Sequence, residues 1–92
     1  MQLGAEPWPD RRRVRVTLEI TPFLEPPNIE VVITDPHQQE VSSVSIIQTI
    51  DSRMTFTMHL RGPEITGTCT LTATLSYPDA GTVHQDNITF EV

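Results

Sequence analysis

The side chains able to do chemistry in this 92-residue chain are few: one cysteine, three histidines, twelve carboxylates and six arginines, with no lysine. Cys69 is the one candidate thiol nucleophile. It lies in Thr68-Cys69-Thr70-Leu71-Thr72-Ala73-Thr74-Leu75, where alternation puts it on the apolar side with Leu71 and Leu75, and a thiol buried among apolar groups is inert. A single cysteine also forms no internal disulfide. His37, His59 and His84 show none of the HxH, HxxxH or HExxH spacings that place two imidazoles on one metal. The glycines, at 4, 62, 67 and 81, are too scattered for a phosphate-cradling loop, and no GxSxG elbow is present. Asp35, Glu40, Asp51, Glu64, Asp79 and Asp86 stand singly near turns. They read as solvated turn residues rather than the dense acidic motif of a calcium site. No catalytic residue, metal or cofactor is expected, and the chain reads as a non-enzyme.

Two features point to recognition instead. Arg11, Arg12, Arg13 and Arg15 concentrate four of the six positive charges at the entry to one extended run. One reading makes them a dock for an acidic partner, a phosphate or the domain's own acidic turns; the preferred one makes them a charged edge strand that blocks edge-to-edge pairing. The second feature is apolar. Val32 and Ile47 fall on the face opposite the main apolar set of their own runs, with Val41 as a third member, which marks either a partner patch or strands buried on both sides.

The elements that must position these groups follow from period-2 patterning. Val14, Val16, Leu18 and Ile20 alternate with polar residues from Arg13, and Ile29, Val31 and Ile33 share one face of a second strand. Between them, Thr21 to Asn28 holds three prolines, which remove the amide donors a ladder needs, so the chain crosses over there. Asp35-Pro36 opens the next turn. A third run spans Val41 to Ile50, and Asp51-Ser52 reads as a tight reversal into Arg53–Leu60, where Met54, Phe56, Met58 and Leu60 alternate. Thr68 to Tyr77 is the most regular strand, with threonine on nearly all of its outer face. Pro78 to Gly81 turns the chain into a last strand, Thr82 to Val92. No stretch has the 3.6 period of a helix. The expected fold is therefore all-β, an antiparallel β-sandwich of six to seven strands, which the resemblance given below makes Ig-like; a small oligonucleotide-binding barrel is second, lacking its usual helix and basic-aromatic face. Residues 1–12 read as an irregular lead-in and 13–92 as a single domain. Trp8, between two prolines, reads either as a plug over one end of the sandwich or as a sticky residue in a mobile tail.

Composition bounds the partners. A net charge of −6 disfavours nucleic acid and anionic membrane surfaces. No apolar run approaches the ~18 residues of a spanning helix. The N-terminal stretch lacks the basic and apolar regions of a signal peptide, so the compartment is left open between the cytoplasm and export within a longer or processed chain.

The segment Gly67-Thr68-Cys69-Thr70-Leu71-Thr72-Ala73-Thr74-Leu75 resembles the penultimate strand of immunoglobulin-like and fibronectin type III-like domains, where glycine precedes Tyr-x-Leu/Cys-x-Ala. Ile29-Glu30-Val31-Val32-Ile33-Thr34-Asp35-Pro36 is similar to the second strand and turn of bacterial accessory domains of that superfamily. Cys69 stands where the corner tyrosine would be and Leu71 where the second disulfide cysteine would be, and Trp8 precedes the first strand, so the immunoglobulin hallmarks are absent. The resemblance implies an accessory or interaction module recognising a protein partner, or forming a homodimer. The alternative is a small-ligand or carbohydrate-binding sandwich, for which Phe56, Tyr77 and Phe90, read as core, leave few aromatics to stack on a sugar.

Overall fold

The threonine-rich run becomes a ten-residue strand, Thr68–Tyr77, in a computed structural model that describes residues 1–20, 26–47, 51–62, 65–77 and 81–92. Its alternation is realised in space: Cys69, Leu71, Ala73 and Leu75 are buried, while Thr70, Thr72 and Thr74 stand on the partly open face. Among the described residues there are seven strands: β1 (Gln2–Pro7), β2 (Arg13–Glu19), β3 (Asn28–Thr34), β4 (Glu40–Ile46), β5 (Arg53–His59), β6 (Thr68–Tyr77) and β7 (Gly81–Glu91). They form two antiparallel sheets, β1-β2-β5 and β4-β3-β6-β7, the layered all-β sandwich that the patterning implies. No helix among the described residues is long and apolar enough to cross a membrane.

The core is the space between the two sheets. Val14, Val16 and Leu18 of β2 face Ile29, Val31 and Ile33 of β3 and Leu71 of β6, all almost wholly excluded from solvent. Met58, Phe90, Ile20, Leu60 and Ile65 close its margins. Phe56 and Tyr77 pack against this cluster half-buried rather than inside it.

Four local expectations are corrected. Residues 2 to 7 are no irregular lead-in: they pair with β2 from Gln2↔Glu19 to Pro7↔Val14. A weak apolar pattern hid this strand, since its backbone is held mainly by the ladder to a strongly patterned neighbour. β2, the strand carrying the arginines, is therefore central, with β1 on one side and β5 on the other, and edge protection does not account for its charge. Asp51-Ser52 does not close a hairpin, because β4 pairs with β3 and β5 with β2; the chain changes sheet there. β4 ends at Ile46, so Ile47 lies just past the strand, and Ile50 falls outside the described residues. Phe23, Glu64, Asp79 and the turn at 78–80 also fall outside them, as does most of the proline-rich stretch before β3, although β2 and β3 do belong to different sheets.

Val41 owes its place to a bulge. Thr34 pairs with Glu40 and Ile33 with Ser42, so Val41 is the extra residue, and both Val41 and Ser42 turn inward. That removes Val41 from any outer apolar patch.

Because Leu71 sits at the centre of the sheet-to-sheet contact, Leu71→Ala is expected to destabilise the fold by about 3 kcal/mol, whereas Thr72→Ala on the outer face costs less than about 1 kcal/mol. Urea unfolding followed by circular dichroism compares the two.

Candidate functional site

One end of the sandwich gathers most of the chain's arginine. Three backbone hydrogen bonds assemble it: Leu60 N–H donates to the Arg12 carbonyl at 2.8 Å, Arg61 N–H to the Val41 carbonyl at 2.9 Å, and Val92 N–H to the Gly67 carbonyl at 3.0 Å. The β1–β2 turn, the β3–β4 turn, the chain leaving β5 and the end of β7 thus lie side by side. Gly67, at φ 115°, fits because a β-carbon there would meet Pro36 Cγ at 3.0 Å.

The β1–β2 turn is built around Asp10. Trp8 N–H donates to the Arg13 carbonyl at 2.9 Å and Arg11 N–H to the Trp8 carbonyl at 3.0 Å, with Arg11 in the left-handed region at φ 58°. One Asp10 oxygen accepts from Arg12 N–H at 3.0 Å; the other accepts from Arg13 Nε at 2.9 Å and pairs with its Nη2 at 2.8 Å. The Arg12 amide holds the Asp10 carboxyl below its ordinary value of 3.8; desolvation, next in size, opposes it, and the hydrogen bonds and charge of Arg13 complete the lowering. Arg13 is fixed in turn over the indole of Trp8, its guanidinium carbon 4.0 Å from the ring centre. Trp8 is neither a plug nor part of a loose tail. It is a stacked turn residue that keeps 37% of its surface in solvent.

Arg15 continues the row on the outer face of β2, opposite Glu6 of β1 and Thr57 of β5. Glu6, Pro7, Trp8, Pro9 and Arg15 line a shallow groove of about 370 Å³. The structure therefore brings Arg13 and Arg15 together with an exposed tryptophan, and leaves Arg11 and Arg12 exposed on the adjoining turn.

The β3–β4 turn forms the neighbouring rim. Asp35 accepts from His37 N–H and Gln39 N–H at 2.9 Å each, so the Asp-Pro start does cap this turn. Arg61 links it to the other sheet: its Nε donates to the Val41 carbonyl at 3.3 Å, and its Nη2 lies 3.6 Å from Glu40. A second groove of about 430 Å³ runs here, with Val41 and Ile65 at its base and His37, Glu40 and Arg61 at its rim. Arg61 had no signal in the sequence, being a lone arginine in a loop; its partners, the Val41 carbonyl and Glu40, are brought to it by the start of β4 on the other sheet.

Val32 and Ile47 are not joined to this end or to each other. Val32 stands half-buried on the outer face of β3 opposite Ser43, and Ile47, 71% exposed, lies four residues farther along, ~13 Å away at strand rise. His37, His59 and His84 sit in a turn, at the end of β5 and in β7, and no group of three metal-ligating side chains forms among the described residues. Cys69 is fully enclosed. Burial pushes its thiol up, and the charges of Asp35 and Glu91 add to the effect.

Compared with known proteins, the chain matches no family model and no curated protein.

Two outcomes follow. A depressed carboxyl stabilises its contacts above its unfolded value and loses that contribution as pH falls through the folded one. Trp8 is the only tryptophan, so its fluorescence should change in a transition lying below 3.8 as Asp10 protonates and releases Arg13. Asp10→Asn should remove that transition and leave the neutral-pH spectrum resembling the acid form of the wild type. Cys69 should react with a disulfide reagent at least about a hundredfold more slowly in the folded chain than in denaturant, since attack requires an opened core.

Proposed function

We propose that this chain is a non-catalytic interaction or accessory module that recognises a protein partner through the end of the sandwich bearing Trp8, Arg13 and Arg15. The observation that carries this reading is the held, solvent-facing Trp8–Arg13 stack beside Arg15. Tryptophan and arginine are the residue types that most often dominate binding energy. A pair already fixed by Asp10 loses little further entropy when a partner lands on it. The adjoining Arg11 and Arg12 favour a partner surface with acidic groups around an apolar or aromatic centre.

We also infer an immunoglobulin-like, fibronectin type III-like sandwich. The strand order supports it: β4 lies beside β3 on the four-stranded sheet, rather than beside β5 as the fourth strand of a constant-type immunoglobulin domain does. The carbohydrate-binding reading has less to stand on. Trp8 is the only exposed aromatic among the described residues, and a sugar platform needs several on one face.

A photoreactive phenylalanine analogue in place of Pro9, beside the stack, tests the proposal in the native host. A protein adduct is expected from position 9 and not from position 85 on the opposite sheet, and Arg15→Glu should reduce its yield at least about fivefold. Equal labelling at both positions, or glycan-array binding that depends on Trp8 with no protein adduct, would overturn it.

A further inference from the structure

We propose that a second copy of this chain adds to the free edge of β4, forming a two-fold dimer in which the two four-stranded sheets become one. The surface is separate from the Trp8 end, and the inference does not depend on the function proposed above.

The sandwich has two flanks, and they differ. On one, β1 lies against β7, β1 carries Pro7, and β7 carries Asp86 on its core-facing side, opposite Ala73 and in line with Ile88 and Phe90. A charge pointing inward on an edge strand has no favourable place once another strand covers it, so this edge opposes pairing. Among the described residues the other flank carries no such guard. From Val41 to Ile47 the sequence is Val-Ser-Ser-Val-Ser-Ile-Ile, without charge or proline, and β4 has a hydrogen-bonded neighbour, β3, on one side only. An open slot of about 330 Å³ runs beside it between Ser42–Val44 and Thr57–His59.

The residue pattern of the free edge suits a second copy of itself. At the start of β4 the Val41 carbonyl is already taken by the Arg61 amide and Nε, so an added strand can use Ser43 to Ile47. Antiparallel pairing that keeps inner faces with inner faces must match residues of the same parity. For two copies of this stretch, the register that uses all five residues puts Ser45 on the two-fold axis. Val44 then faces Ile46 of the second copy on the core side, and Ser43 faces Ile47 of the second copy on the outer side. Val32 is the neighbour of Ser43 on β3. Val32 and Ile47, apart within one chain, thus flank a single small serine between chains. Ile47, 71% exposed in the single chain, gains a cross-strand neighbour in this arrangement.

Electrostatics permits it despite the charge of −6 per chain. The nearest acidic residues on this face are the two Glu30 side chains, each opposite its own Ser45. They lie three strand spacings apart, ~14 Å. That exceeds the ~8 Å Debye length of physiological salt.

Sedimentation equilibrium of the whole chain from about 5 μM to about 1 mM should show the mass rising from 10.3 kDa toward twice that value, as a small interface predicts. Ser45→Lys places two ammonium groups on the axis and should weaken association at least about tenfold with an unchanged circular dichroism spectrum. Thr89→Lys on the β7 edge, and Arg15→Glu at the Trp8 end, should leave association unaltered. Ser45→Cys should give a disulfide-linked dimer on mild oxidation, which the buried Cys69 of the wild type cannot form and Thr89→Cys should not. A mass of 10.3 kDa throughout the range, or a dimer indifferent to Ser45→Lys and not trapped by Ser45→Cys, would overturn the proposal.

Discussion

Everything in this molecule depends on keeping one layer of apolar side chains dry between two sheets. A chain of this size buries a modest share of its surface, so few residues carry the fold: Val14, Val16, Leu18, Ile29, Val31, Ile33, Leu71 and Cys69 are nearly or wholly enclosed. Each reaches that position by strict alternation, and a slip of one residue would turn a whole strand's apolar set to water. The cysteine belongs to this requirement. It is a small apolar volume opposite Phe90, and the burial that makes it useful for packing keeps it protonated and out of reach.

With the inner faces committed to the core, recognition is left to ends, outer faces and edges. The β1–β2 end differs from the rest because its charge is organised. Asp10 serves both as the cap of the turn and as the counter-ion of Arg13, and Arg13 holds Trp8 by its ring. A tryptophan in a loose turn would lose freedom on binding; this one is already restrained. The β3–β4 turn uses the same device, an aspartate that collects the amides of its own turn, but has no aromatic to hold. The two turns stabilise the fold in similar ways and offer a partner different surfaces.

The edges show a corresponding division. Asp86 and Pro7 guard the flank where β1 meets β7, and among the described residues the serine-rich β4 carries no such guard on the opposite flank. Charge and proline appear where an added strand would be harmful, and small uncharged residues where one can be accommodated.

The all-β class, the position of β6, the inward placement of Cys69 and the Asp-Pro turn were legible in the residues, because each depends on local alternation or on a side chain bonding to its own backbone. The strand at Gln2–Pro7 was not, since its apolar pattern is weak and its pairing with β2 is what holds it. The same pairing changes the meaning of the arginines: Arg13 and Arg15 look like an edge guard until β1 places them on a central strand. Sheet membership was equally hidden at Asp51-Ser52, where a hairpin and a change of sheet demand nearly the same local residues. Arg61 became visible only through the start of β4, which brings it the Val41 carbonyl and Glu40, and Val32 and Ile47 were separated only by the register of β3 on β4. By itself, then, the sequence determined which face of each strand is buried, because that is set by a two-residue period. Tertiary structure alone decided which strands are neighbours and which edges remain open, because pairing joins residues far apart in the chain that carry no local mark of one another.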